Sequence, residues 1–166
     1  MDNLVNRLKM WCKNRKTIRE NKKLCEMYPF LIPWNRFTGE PVRKYDYSYT
    51  ELDDLPDGWR KRFGLNMCRD LRTELIGDDD LNRWKIVQMK EKYGEMRLYD
   101  NGHKVGSHIP NIIARYQLIS MYTCIICGEN ATRVTLGWIS PFCDKCCPDQ
   151  KWEPIGEFYK EANELE

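Results

Sequence analysis

The 166-residue chain has no long apolar run. Its hydrophobic stretches fall well short of the ~20 residues that cross a bilayer, so no helical membrane span is expected. The opening segment MDNLVNRLKMWCKNRKTIRE has no apolar h-region and no small-residue cleavage site, so no secretory signal is expected there. Charge of one sign is also scarce. Lysine and arginine exceed aspartate and glutamate by only 2, too little to argue for a nucleic-acid partner on bulk electrostatics. There are two histidines, both in NGHKVGSHIP, and neither has glutamate two residues on. That removes the H-x-E half of a nucleic-acid deaminase signature. No nucleophile–base set stands out, and there is no internal repeat or low-complexity tract. The expectation is a protein that is not an enzyme and that works in a reducing, cytoplasmic compartment.

What the chain does have is eight cysteines, six tryptophans and nine tyrosines. Cys12, Cys25 and Cys68 are scattered, and five more crowd into TCIICGENATRVTLGWISPFCDKCC, residues 123–147. Cys124-x2-Cys127-x15-Cys143-x2-Cys146 is the spacing of two metal knuckles. Four soft thiolates suit tetrahedral Zn²⁺ and leave no open coordination position, so the metal is read as structural. A redox pair explains one CxxC and not two. Four free buried thiols are the plainer alternative. Cys147 is either a thiol outside the ligand set or the fourth ligand, and the CxxC spacing favours Cys146. Gly128 suits the tight turn after the first pair, and ATRVTLGWI alternates as a hairpin should.

Periodicity predicts the scaffold. Leu4, Leu8 and Trp11 mark a first helix over 3–13, and a second begins at Thr17, where Thr17 and Glu20 have capping-box spacing. Ile18, Leu24 and Met27 follow, and Pro29 ends it. Trp59, Phe63, Met67, Leu71 and Leu75 recur every four residues behind Asp57 as N-cap, with Gly77 at the C′ position. Ile109, Ile112, Ile113, Tyr116 and Ile119 predict a helix over 109–121 that feeds into the cysteines. A short acidic helix is expected near 156–166. The fold class expected is α+β: helices around a short antiparallel sheet, with a C-terminal zinc ribbon or treble clef. The division expected is 1–122 for the helical and hairpin domain, 123–150 for the zinc module, and 151–166 for a tail or short helix.

VQMKEKYGEMRLY predicts a hairpin closed by Tyr93-Gly94. That turn sets Met89 opposite Leu98, Glu91 opposite Met96, Lys90 opposite Arg97 and Gln88 opposite Tyr99. Val87, Met89, Met96 and Leu98 then share the buried face. Gln88, Lys90, Lys92, Arg97 and Tyr99 share the other. Like charges directly opposite are destabilising by about 0.2–1 kcal/mol per pair, so this face reads either as a site for an anion or acidic partner or as a solvated surface screened by Glu91 or Glu95. Trp34, Arg36, Arg43, Tyr45, Tyr47 and Tyr49 interleave aromatic and basic character, as a stacking surface for nucleotides or single strands does. Burial of Trp34, Phe37 and alternate tyrosines in a core is the simpler reading.

The order YDYSYTELDDLPDGW, VQMKEKYGEMRLYDNG and CIICG…LGWISPFCDKC resembles a family of small uncharacterised zinc-knuckle proteins encoded by bacteriophages and prophages. The likeness covers most of residues 25–147 and is most specific at Lys90-Glu91-Lys92-Tyr93-Gly94, Arg97 and the two knuckles. The family commonly has glycine where this chain has Glu95, and often leucine in place of Met96. The resemblance carries no activity. It implies a phage setting, in which small accessory proteins often inhibit host processes. The expected function is a non-catalytic zinc-binding accessory protein that binds a host factor, countering antiviral defence by inhibiting a protein or sequestering a nucleotide signal. A nucleic-acid-binding regulator that uses the hairpin and ribbon is the alternative.

Overall fold

The computed structural model describes residues 2–164 except 36, 37, 39, 41 and 43, with side chains described between 14 and 160. The fold is α+β. Helix α1 runs Asp2–Met27, a 3-10 turn covers Pro29–Leu31, and a second covers Glu51–Asp54. Helix α2, Asp57–Trp59, continues through a π turn at Arg60–Gly64 into α3, Leu65–Gly77. Strands β1 (Ile86–Lys92) and β2 (Glu95–Asp100) form a hairpin, followed by α4, Ile109–Met121. Strands β3 (Arg133–Thr135), β4 (Pro141–Phe142) and β5 (Trp152–Pro154) make a three-stranded antiparallel sheet in the order β4-β3-β5, and α5 spans Ile155–Glu164.

The apolar period of α2 and α3 builds the core. Trp59, Met67, Leu71 and Leu75 are all 0% exposed and Phe63 is nearly so. A spacing of four overshoots the 3.6-residue repeat by about 40° per step in a straight α-helix. The wider π turn between Trp59 and Leu65 takes back part of that rotation and holds Trp59 and Phe63 on the buried face. Tyr116 of α4 stacks on Phe63 at 5.6 Å, and Phe30 meets the edge of Trp84 at 5.3 Å. Met89, Met96 and Leu98 of the hairpin close the other side of this core.

Several local expectations change. The two N-terminal helices are one, because nothing in the sequence at Thr17 stops the hydrogen-bond ladder, so Thr17 is not a cap. On the described part of α1 the inward side chains are Asn21, Cys25 and, in part, Leu24, while Met27 is 52% exposed. Pro56 holds the N-cap position, which puts Asp57 in the first turn, where it accepts Arg60 Nη2 at 2.5 Å. Gly77 is the last helical residue, and Asp79 takes the left-handed conformation beyond it (φ 53°). Trp152–Pro154 pairs with β3, so part of the 151–166 segment belongs to the cysteine module's sheet.

The hairpin keeps the expected register: Met89↔Leu98, Glu91↔Met96, Lys90↔Arg97, Gln88↔Tyr99, with Lys92↔Glu95 closing the turn. A bulge between Ile86 and Gln88 changes only the far end. There Ile86 takes the buried place and Val87 is turned outward, 37% exposed, against expectation. Tyr93 and Gly94 both have positive φ, 55° and 77°, as a type I′ turn requires. Glycine is at ease there, and tyrosine is not.

Two measurements check this packing. Leu71→Ala should cost about 2–5 kcal/mol in a urea titration, since it empties a fully enclosed position. Tyr93→Asn creates the favoured Asn-Gly turn and should raise stability by about 1 kcal/mol. A loss on Tyr93→Asn would show that the ring contributes more than its backbone costs.

Candidate metal centre and hairpin face

Cys124, Cys127, Cys143 and Cys146 come together with all four sulfurs within 4.8 Å of one another. None is in a disulfide. Among the described residues this is the single group of three or more His, Cys, Asp or Glu side chains close enough to share an ion. The four cysteines are positioned to bind a metal ion, as the spacing predicts. Cys147 lies outside the group, its thiol turned to its neighbour's carbonyl on Pro148 at 3.7 Å.

Backbone geometry makes each knuckle. Gly128 N donates to Cys124 O at 3.0 Å and Cys124 N to Glu129 O at 2.8 Å, with Gly128 at φ 84°. In the second knuckle Cys146 N and Cys147 N both donate to Cys143 O, at 3.1 and 3.0 Å. Asp144 ties this knuckle to β3 by accepting Thr132 Oγ1 and Arg133 Nε, each at 2.8 Å. These bonds, Thr132's first, hold the Asp144 carboxyl below its usual range. Two knuckles flanking a three-stranded sheet are the arrangement of a ribbon.

The thiols themselves call for a cation. Burial opposes ionisation of Cys124, yet backbone N–H groups at Cys127, Cys143 and Ile126 outweigh it and bring that thiol down to about 7. Once that sulfur carries charge, Cys127 and Cys146 resist it. Cys146, held by the sulfurs of Cys143 and Cys127, is pushed up to about 12. Four thiolates can coexist there only around a positive ion, which reverses this logic.

The module is seated on the helical domain through Gly58, in the Pro56-Asp57-Gly58 stretch that opens the helix. A Cβ on Gly58 would lie 2.1 Å from Cys124 O and 2.8 Å from Gly128 N. The same contact carries Gly58 N to Ile125 O at 3.0 Å and Trp59 Nε1 to Thr123 O at 2.9 Å. Lys61 Nζ reaches Cys127 O at 3.3 Å. This lysine therefore brings positive charge beside the sulfur cluster. A second contact is Gly94, whose missing Cβ would sit 3.3 Å from Ile139 and 3.4 Å from Pro141. Gly94 is marked in the sequence as a turn residue, but its approach to Ile139 and Pro141, like that of Gly58 to the knuckle, has no local sequence signal.

The hairpin face is displayed as expected, with one difference in its electrostatics. Arg97 Nη2 is bound to Glu95 Oε2 at 2.6 Å, so the chain itself offsets the repulsion between Arg97 and Lys90. Lys90 leans over the Tyr99 ring at 5.8 Å and Lys92 over Tyr93 at 5.3 Å. Neither lysine has a carboxylate partner among the described residues. Gln88 is half-buried and Tyr99 exposed. Beside the turn, Glu91, Lys92 and Tyr93 face Gly137, Trp138 and Ile139 across a groove of about 270 Å³. Tyr93 is 69% and Trp138 76% exposed. Trp138 escaped sequence reasoning because GWI reads equally well as a buried strand.

Of the tyrosine segment, Tyr45 and Tyr47 pack inward, while Tyr49 is 45% exposed. Tyr45 and Tyr47 lie against the core, with ring centroids 4.7 Å apart, and Lys85 sits 3.4 Å over Trp34. Arg36, Phe37 and Arg43 lie outside the described residues. No helix among the described residues is long and apolar enough to cross a membrane.

Gly58→Ala should force the first knuckle off the helix. A stability loss of about 1–3 kcal/mol or more is expected, with weaker metal retention by elemental analysis. Cys147→Ser should keep both stability and metal. Comparison with known family profiles, with curated proteins and with solved structures finds no match for this chain.

Proposed function

We propose that the protein is a non-catalytic binding protein, clamped by one structural zinc ion, that docks on an acidic surface of a host protein. The phage setting and the role against host defence rest on the resemblance described above. The observation that carries the binding reading is the outward display of Tyr93 and Trp138 around a groove that Lys92 also lines, with Lys90 two residues back along the same strand. Solvent-facing tryptophan and tyrosine beside cations is the composition of protein-interface hot spots. The strained backbone at Tyr93 supports the same reading, because an aromatic kept in a left-handed turn costs stability that asparagine would not.

Zinc is favoured over other metals by donor chemistry and size. Sulfurs bound at ~2.3 Å to a tetrahedral ion lie ~3.8 Å apart. Cys127 and Cys143 are 3.6 Å apart here, and all four sulfurs lie within 4.8 Å of one another. Purified protein should hold one equivalent of zinc by elemental analysis, and Cys143→Ser should hold none. Iron in place of zinc, or a metal-free chain that stays folded, would overturn the zinc reading.

The partner is tested by retaining host proteins on the immobilised chain. One protein should be held by the wild type and by Val105→Ser, at the opposite end of the hairpin. Trp138→Ala or Lys90→Glu with Lys92→Glu should release it, a loss of at least about 2 kcal/mol, roughly 30-fold. Variants that still bind fully would sink the reading. Retained nucleic acid, released steeply with salt, would replace it with the alternative of a nucleic-acid regulator.

A further inference from the structure

A larger cavity lies on another side of the molecule, between α1, the Glu51–Asp54 turn and the π segment, with a volume of about 470 Å³. That is within the ~300–1,000 Å³ of small-molecule sites. Its walls carry four cations, Arg60, Lys61, Arg62 and Arg69, against the single carboxylate of Asp53.

That carboxylate is already spent. Asp53 accepts Thr50 N at 2.7 Å and Thr50 Oγ1 at 3.1 Å, and its other oxygen binds Arg60. Arg60 is in turn shared with Asp57 at 2.5 Å. The remaining three cations have no carboxylate partner among the described residues. Lys61 and Arg62 make one long hydrogen bond each, to Cys127 O at 3.3 Å and Asn130 Oδ1 at 3.4 Å, both neutral acceptors. With Arg60 paired and Lys61 turned to the first knuckle, Arg62 and Arg69 are the cations of this wall that a phosphate would meet without a carboxylate partner among the described residues.

The cavity is not only polar. Leu24, Leu52 and Phe63 line it, and Leu65 is 49% exposed between Arg62 and Arg69. Arg62, Leu65 and Arg69 all line the cavity, so an apolar side chain is displayed in the same wall as two guanidinium groups. The π turn that carries Arg60, Lys61 and Arg62 is a further pointer, since such turns are frequent at functional sites.

We propose that this cavity binds a small phosphate-bearing ligand of the nucleotide class, with the phosphate on Arg62 and Arg69 and the base against Leu65. The site is separate from the hairpin face and does not depend on that face having a protein partner. Bidentate arginine is the matching chemistry for phosphate, and the apolar floor matches a planar base.

Calorimetric titration of the full, metal-loaded chain with AMP, adenosine and inorganic phosphate tests the assignment. AMP should bind saturably. Adenosine and phosphate should each bind at least tenfold more weakly, because each lacks half of the ligand. Arg69→Ala should weaken AMP tenfold or more without moving the thermal midpoint or the metal content, and Arg69→Lys should recover part of the loss. Lys90→Glu with Lys92→Glu should leave AMP binding unchanged. No saturable binding of AMP at millimolar concentration, adenosine binding as tightly as AMP, or indifference to Arg69→Ala would each overturn the proposal.

Discussion

Gly58 packed against the first knuckle is the contact on which the rest of the molecule depends. It joins a module too small to bury a core of its own to a helix that has one. The module contributes few enclosed apolar side chains, chiefly Val134 and Ala131. The helical domain contributes Trp59, whose indole is both the top of the core and a donor to Thr123 O. A side chain at residue 58 would part the two, and with them the backbone bonds at Ile125 and Thr123. The metal-binding sulfurs and the hydrophobic core are therefore one cooperative structure, although the sequence between them runs through the whole hairpin and α4.

Charge follows the same joint. A tetrathiolate site with a divalent ion stays doubly negative, and such a group needs nearby donors and positive charge. The chain places them with one element. At the start of α2, Gly58 N donates to Ile125 O inside the first knuckle, and Lys61 extends from the π turn to Cys127 O. The π turn thus serves packing and electrostatics together. It corrects the drift of a four-residue apolar spacing, and it spreads three basic side chains from the knuckle side to the cavity side. A regular α-turn would place those side chains elsewhere around the axis.

The parts legible in the sequence were those set by a short-range rule. The CxxC pairs found the ligands because two residues between cysteines define a knuckle. The hairpin register followed from Tyr93-Gly94 because a two-residue turn leaves no freedom until the bulge at Val87. The buried set Trp59 to Leu75 followed from periodicity. What was not legible depended on contacts between distant segments. Gly58 carries the same letters as any Pro-Asp-Gly turn. Trp138 looks like a strand residue until β3 and β4 are seen to end before and after it. Arg97 looks like an uncompensated charge only if Glu95 is assumed to point elsewhere. Thr17 looked like a cap because local chemistry permits one there, whereas the ladder of α1 had no reason to break.

Two surfaces remain after the fold's own needs are met, and they differ in kind. At the hairpin tip, Tyr93 is exposed at a cost in backbone strain, and Trp138 is exposed at a cost in unburied apolar area. The turn meets the ribbon closely at Gly94, beside Ile139 and Pro141, and leaves both rings largely in solvent. At the α1 cavity the excess is of charge, and the nearest acid is consumed in fixing Arg60 and Thr50. Selection for stability alone would remove both, by an Asn-Gly turn in one place and an added carboxylate in the other. The first is shaped for a broad apolar contact and the second for a compact anion. A protein built as a binder has use for both.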